Sequence, residues 1–183
     1  MAVIDVGAAA IDRASNLPKE KTLIDKTNPA NDSGVLDTFE LWFWFYAVSD
    51  CLVGTFYGSG VSATSRDYAD IGSVSVGSKQ TFSGLSVDVA SGDWVGLYTA
   101  TGYVERSTSG GGDVLLIDGD QFGTGAQTYS SYPGNAISLY ATGTTAAATS
   151  IKSVNGVAYA NIKAINGIAI GDIKQFNGVS NVS

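Results

Sequence analysis

Lys79-Gln-Thr-Phe-Ser-Gly-Leu-Ser-Val-Asp-Val-Ala-Ser-Gly-Asp-Trp-Val-Gly-Leu-Tyr98 holds two extended runs separated by a tight corner. Leu85, Val87 and Val89 alternate with Ser86 and Asp88, the period-2 pattern of a strand with one covered face. Ser91-Gly92-Asp93 supplies turn residues, and Trp94-Val-Gly-Leu-Tyr98 opens the next strand directly after them. Strand signals of the same kind recur about every 10 residues along the chain, the spacing of an all-β sandwich or barrel. They cover 22–26, 35–49, 51–57, 66–76, 79–82, 84–90, 94–98, 103–106, 114–117 and 136–140, with 35–49 the longest. A turn is expected near Ser49-Asp50, and a dense turn cluster, Asn28-Pro-Ala-Asn-Asp-Ser-Gly34, closes the first strand. Only residues 8–14 hint at helical spacing. The spacing predicts an all-β fold: an antiparallel β-sandwich, jelly-roll or Ig-like, followed by a short β-hairpin repeat tail.

That tail repeats a unit of 11 residues. Ile151-Lys-Ser-Val-Asn-Gly-Val, Ile162-Lys-Ala-Ile-Asn-Gly-Ile and Ile173-Lys-Gln-Phe-Asn-Gly-Val share the form Ile-Lys-x-apolar-Asn-Gly-apolar. Asn155-Gly156, Asn166-Gly167 and Asn177-Gly178 are two-residue type I′ corners, which would pair Val154 with Val157 and set Ile165 and Phe176 at the equivalent positions. Such hairpins are too small to bury much surface alone, and with neither cysteine nor histidine they need partners: the chain's own body domain, other copies or a host structure. Residues 141–150 are small and uncharged, a linker by composition. The expected organisation is therefore an N-terminal arm at 1–20, a sandwich domain at 21–140, a linker at 141–150 and an assembly tail at 151–183.

Composition narrows the chemistry. The chain is 44% hydrophobic and 15% charged, with 23 glycines and a net charge of −7. Ten Lys and Arg residues are scattered singly, so no basic patch exists for a phosphate backbone and no nucleic-acid partner is expected. No apolar run approaches the roughly 20 residues of a membrane span. The start, Met1-Ala-Val-Ile-Asp-Val-Gly7, lacks the basic and apolar regions of a secretory signal, so an extracellular place would be reached through assembly, lysis or a non-classical route. Cys51 stands alone beside Asp50 and reads as a small buried hydrophobe.

The absence of histidine removes the commonest general base and the imidazole zinc sites. Neighbouring carboxylates at Asp37 and Glu40, Asp67 and Asp70, and Asp88 and Asp93 could in principle hydrolyse glycosides. Most lie beside Gly or Ser, where Asp serves as a turn residue. No enzyme and no cofactor are expected. Asp118-Gly-Asp120, with Asp113 nearby, resembles a fragment of a calcium loop without its closing Glu, so turn chemistry is favoured over a cation there.

Phe39-Glu-Leu-Trp-Phe-Trp-Phe-Tyr46 carries rings on both faces when read as one strand. Phe39, Leu41, Phe43 and Phe45 share one face, and Glu40, Trp42, Trp44 and Tyr46 the other. Three readings stay open: burial on both sides, packing on another subunit, or a platform of Trp42, Trp44 and Tyr46 for sugar rings.

The tail resembles the Ile-Lys-x-Ile-Asn-Gly-Val repeats at the ends of bacteriophage and environmental virion proteins. Residues 77–89 and 91–98 are similar in style to the small β-sandwich proteins of such particles. This resemblance implies a virion structural role, as capsid decoration, tail or fibre, with homo-oligomers or other virion proteins as partners. It carries no catalytic residue across. The expectation is a non-enzymatic assembly protein, with a carbohydrate-binding or adhesin module, taking a glycan on the exposed aromatics, as the alternative.

Overall fold

Alternation turns one set of apolar side chains inward along each strand, and the order in which the strands pair decides what those sets meet. The computed structural model describes residues 2–145 and, in the tail, the paired residues 153–154, 157–158, 164–165, 168–169, 175–176 and 179–180. The body runs through β1 (Val3–Ala8), β2 (Ser15–Pro18), β3 (Lys21–Asp25), β4 (Gly34–Trp42), β5 (Val48–Ser59), β6 (Ser62–Val74) and β7 (Lys79–Val89). It continues through β8 (Trp94–Tyr98), β9 (Tyr103–Ser107), β10 (Asp113–Asp118), β11 (Gln127–Thr128), β12 (Ser130–Pro133), β13 (Ala136–Ile137) and β14 (Leu139–Thr145). Every ladder is antiparallel, and no helix occurs among the described residues.

A four-stranded sheet has the order β1-β14-β4-β7, and a seven-stranded sheet the order β11-β6-β5-β8-β3-β10-β12. Within them the pairs nest: β5 with β6, β4 with β7, β3 with β8 and β1 with β14. A chain folded back at the β5–β6 corner and then wrapped, each pair outside the last, gives this order, which is the topology of a jelly roll. A smaller sheet, β13-β9-β2, joins two strands of the excursion between β8 and β14 to β2, which lies between β1 and β3 in the chain.

The core lies between the two large sheets. Ile4, Val6, Leu36, Phe39, Leu41, Val87, Leu139 and Ala141 from the four-stranded sheet join Leu23, Cys51, Val53, Val95 and Leu97 from the other in one cluster. The other face of the seven-stranded sheet is apolar too. Ile24, Phe56, Trp94 and Leu115 form a second cluster there with Ala63, Phe122 and Tyr129. Phe122 and Tyr129 come from the segment that follows β10. Its strands β11 and β12 pair with opposite edges of the sheet, with Tyr129 alone between them. The sheet thus nearly closes on itself around the second cluster.

That closure needs space at its centre. Gly54 of β5 and Gly96 of β8 are register partners. A Cβ on Gly96 would stand 2.6 Å from the Phe56 ring and 2.8 Å from the Leu23 carbonyl oxygen. One on Gly54 would stand 2.8 Å from the Phe122 ring.

Edges and corners are tied by polar side chains. The free edge of β1 is covered by the 28–34 turn: Gly7 N–H donates to Asn28 O at 2.8 Å and Asp5 N–H to Asn31 Oδ1 at 3.1 Å. An unpaired strand edge is a template for other chains, and this one is filled. At the β7–β8 corner the buried Asp93 accepts from Ala90 N–H at 2.8 Å and pairs with both Nε and NH2 of Arg66.

Several boundaries differ from the sequence reading. Residues 1–20 contribute β1 and β2 to the sheets. β14 extends to Thr145, so 141–145, expected as linker, are strand, and 146–150 lie outside the described residues. The chain divides into two units, Met1–Thr145 and Ala146–Ser183. The long strand expected over 35–49 ends at Trp42, and the chain turns at 44–47 before β5 begins at Val48. Ser49-Asp50 is a bulge within β5, with Asp50 at φ 50° and a register shift between Val48 and Cys51.

In the tail, β15 (Ser153–Val154) pairs with β16 (Val157–Ala158), β17 (Ala164–Ile165) with β18 (Ile168–Ala169), and β19 (Gln175–Phe176) with β20 (Val179–Ser180). Val154 faces Val157, Ile165 faces Ile168 and Phe176 faces Val179, the expected register. The Asn-Gly corners Asn155-Gly156, Asn166-Gly167 and Asn177-Gly178 themselves lie outside the described residues.

Gly96→Ala is expected to destabilise the body by about 1–3 kcal/mol through overpacking. Gly125→Ala, whose Cβ would meet nothing within 4 Å, should stay within about 0.5 kcal/mol of the parent. Urea unfolding of both variants checks the pair, and equal midpoints would remove the close approach of Phe56 to Gly96.

Candidate functional site

The aromatic run quoted above is divided by the fold. Phe39, Leu41 and Phe43 are fully buried in the core. Trp42 is half-buried on the outer face of the four-stranded sheet, in register with Lys79. Past it the chain leaves the sheet, and Trp44, Phe45 and Tyr46 are exposed at 49%, 39% and 63%. The structure therefore brings Trp44 and Tyr46 together and sets Trp42 apart, so no single strand face presents all three.

Tyr103, the first residue of β9, completes the cluster. Phe45 stacks on Tyr103 with centroids 5.9 Å apart and planes 16° from parallel. Trp44 meets Phe45 edge-on at 4.5 Å, and Tyr46 lies 4.3 Å from Phe45 and 5.9 Å from Tyr103. Edge-to-face and offset arrangements of this kind suit the ring quadrupoles.

Hydrogen bonds from the 99–103 turn hold the 44–47 turn in place. Trp44 N–H donates to Tyr103 O at 2.9 Å. Thr101 Oγ1 donates to Ala47 O at 2.8 Å and accepts from Ser49 N–H at 2.9 Å. The Phe43–Val104 bridge anchors the base. Tyr46 sits at φ 69°, a conformation that costs a bulky residue about 1–3 kcal/mol and persists only where its surroundings over-determine it. Gly102, at φ 92°, leaves no room for a Cβ beside Val48. Between the turns opens a cleft of about 380 Å³ lined by Lys19, Tyr46, Ala47, Thr101, Gly102 and Tyr103. A second hollow of about 480 Å³ lies beside Ala47 and Val48, against residues 73–76.

Of the six carboxylates that could have formed catalytic pairs, five have structural partners, and the Asp88 side chain has none among the described residues. Asp37 accepts from Thr38 Oγ1 at 2.8 Å, and Glu40 pairs with Lys79 at 2.7 Å. Asp70 accepts from Gly72 N–H and Asp67 from Asp88 N–H, each at 2.8 Å. Asp93 belongs to Arg66. In the stretch compared to a calcium loop, Asp118 pairs with Lys21 and Asp120 accepts from Phe122 N–H at 2.9 Å, an Asx turn. Asp113 lies within 4.0 Å of Lys26. Among the described residues no group of three or more His, Cys, Asp or Glu could hold a metal ion. Cys51 is fully buried, and burial with the nearby Asp70 pushes its thiol well above the ordinary range.

A buried polar network, invisible in the sequence, joins the 9–13 segment to the small sheet. Arg13 donates through Nε to Ser138 Oγ, through NH1 to Ser107 Oγ and through NH2 to Ala9 O, each at 2.8 Å. Its backbone N–H donates to Glu105 Oε2 at 3.1 Å. Glu105 is 1% exposed, and its Oε1 is buried without a partner among the described residues. Burial pushes the Glu105 carboxyl up, with Asp12 adding to the shift and Arg13 opposing it. Asp25, also fully buried, is raised by burial although it accepts from Thr27 and Ile137 N–H, both at 2.7 Å. These groups lie inside packed structure and line neither cleft.

No known protein family, curated protein or solved structure matches the chain.

A carboxyl raised in the folded state binds its proton more tightly there than in the unfolded chain. Its burial therefore costs stability as pH rises from the unfolded value, about 4.3 for Glu, through the raised one. Glu105→Gln removes that cost, so its midpoint relative to the parent should climb between pH 4 and pH 8. Thermal unfolding across that range measures it, and a pH-independent difference would show that Glu105 is not desolvated.

Proposed function

We propose that this chain is a non-enzymatic structural protein that self-associates through its β elements, as a component of a virion-like assembly: capsid decoration, tail or fibre. The observation that carries this reading is the contrast between the two units. The body buries both faces of its larger sheet with its own residues, fills the edge of β1, and has its own core. The tail has three separate two-stranded sheets, each only two residues long per strand, in the same register. Isolated hairpins of this length are at best marginal in water, and three or more strands with a packed face are needed for independent stability. A repeated, partner-requiring β element on a self-sufficient module is the arrangement of an assembly device, in which strands add to strands of another copy. The lack of histidine and the structural engagement of five of the six neighbouring carboxylates favour this reading over an enzyme.

Sedimentation of the full chain should show oligomers that dissociate on dilution, and the chain ending at Thr145 should sediment as a folded monomer. A full chain that stays monomeric at high concentration, or a shortened chain that associates equally well, would overturn the tail's role.

A further inference from the structure

We propose that the cleft between the 44–47 and 99–103 turns binds a pyranose sugar carrying a carboxylate, as in a uronic-acid-containing glycan. This inference is independent of the assembly reading. It rests on the cleft's two kinds of surface. Tyr46 and Tyr103 line the cleft, their rings packed with Phe45, which Trp44 meets edge-on. Lys19 lines it too, and neither its ammonium nor the Tyr46 and Tyr103 hydroxyls has a hydrogen-bond or ion-pair partner among the described residues. No carboxylate lies within ion-pair distance of Lys19 among the described residues, and the Thr101 hydroxyl is engaged by Ala47 and Ser49. The cleft thus offers aromatic side chains beside one cation without an ion pair among the described residues and two phenols.

Occupants of other chemistry fit less well. A purely apolar segment would bury the ammonium and hydroxyls unpaired, a substantial penalty. A quaternary ammonium wants rings around an open centre, whereas these rings pack against one another at 4.3 to 5.9 Å and Lys19 would repel it. A phosphate backbone needs many cations in a row, and the cleft has one. A pyranose has an apolar C–H face for the tyrosine rings and a rim of hydroxyls for the phenols. A carboxylate on that ring completes Lys19.

The frame is built for presentation. Tyr46 is held in a strained left-handed conformation by cross-turn hydrogen bonds and is the most exposed ring of the tip. Such strain concentrates at ligand clamps, and rings fixed before binding lose little freedom on contact.

The test uses the full chain against immobilised oligogalacturonates and matched neutral galacto-oligosaccharides, followed by titration in solution. Binding to the acidic oligomers is expected to exceed the neutral ones by tenfold or more and to weaken with added salt. Lys19→Met should abolish that preference, while Tyr46→Gly should reduce binding at least tenfold with an unfolding midpoint equal to or above the parent's. Loss of binding accompanied by a lowered midpoint in Tyr46→Gly would be settled by Tyr103→Leu, which keeps the apolar bulk and should also lose affinity. No binding to either oligomer, equal binding to both, or acidic binding that survives Tyr46→Gly and Tyr103→Leu unchanged would overturn the proposal.

Discussion

Both faces of the seven-stranded sheet are apolar, and the rest of the fold follows from having to cover them. One face packs on the four-stranded sheet through Leu23, Val53, Val95 and Leu97. The other, carrying Ile24, Phe56, Trp94 and Leu115, would lie open to water in a bare eight-stranded jelly roll. Residues after β10 close it, pairing with one edge through β11 and the other through β12. Burying a side chain of this size contributes roughly 1.5–3 kcal/mol, so the second cluster matters to the stability of the body. Gly54 and Gly96 leave room for it, since a Cβ at either would stand within 2.8 Å of the Phe122 or Phe56 ring. The rings meet with centroids 5.0 Å apart.

Much of the strand content was readable because alternation and turn chemistry are local. Lys79 to Tyr98 reads as two strands around Ser-Gly-Asp, and so it folds, with Asp93 recruited to hold Arg66. The covering segment was not legible. Residues 119–133 are rich in Gly, Ser and Thr without alternation, and only Phe122 and Tyr129 betray burial. The unbroken run Val114-Leu-Leu-Ile117 does signal a strand covered on both sides, but not what covers it.

The tip shows why boundaries fail. Trp42 to Tyr46 has high strand propensity and no Gly or Pro, so nothing local ends the strand. The turn is imposed by Thr101 and Tyr103, more than 50 residues away in sequence. Trp44 and Tyr46 were legible as unusual, whereas Tyr103 and Lys19 join them only through the fold. Glu105 was missed for a related reason. Val104 and Glu105 are both buried, so strand parity gives no warning that the carboxylate lies within the network around Arg13.

A body with its own core and a tail of two-residue strand pairs are the two halves of the functional proposal. Amide hydrogen exchange followed at several protein concentrations separates them most directly. Protection of the body strands should be independent of concentration, while amides of 151–183 should gain protection as concentration rises. Tail amides that exchange freely at every concentration, or body protection that itself falls on dilution, would contradict the account.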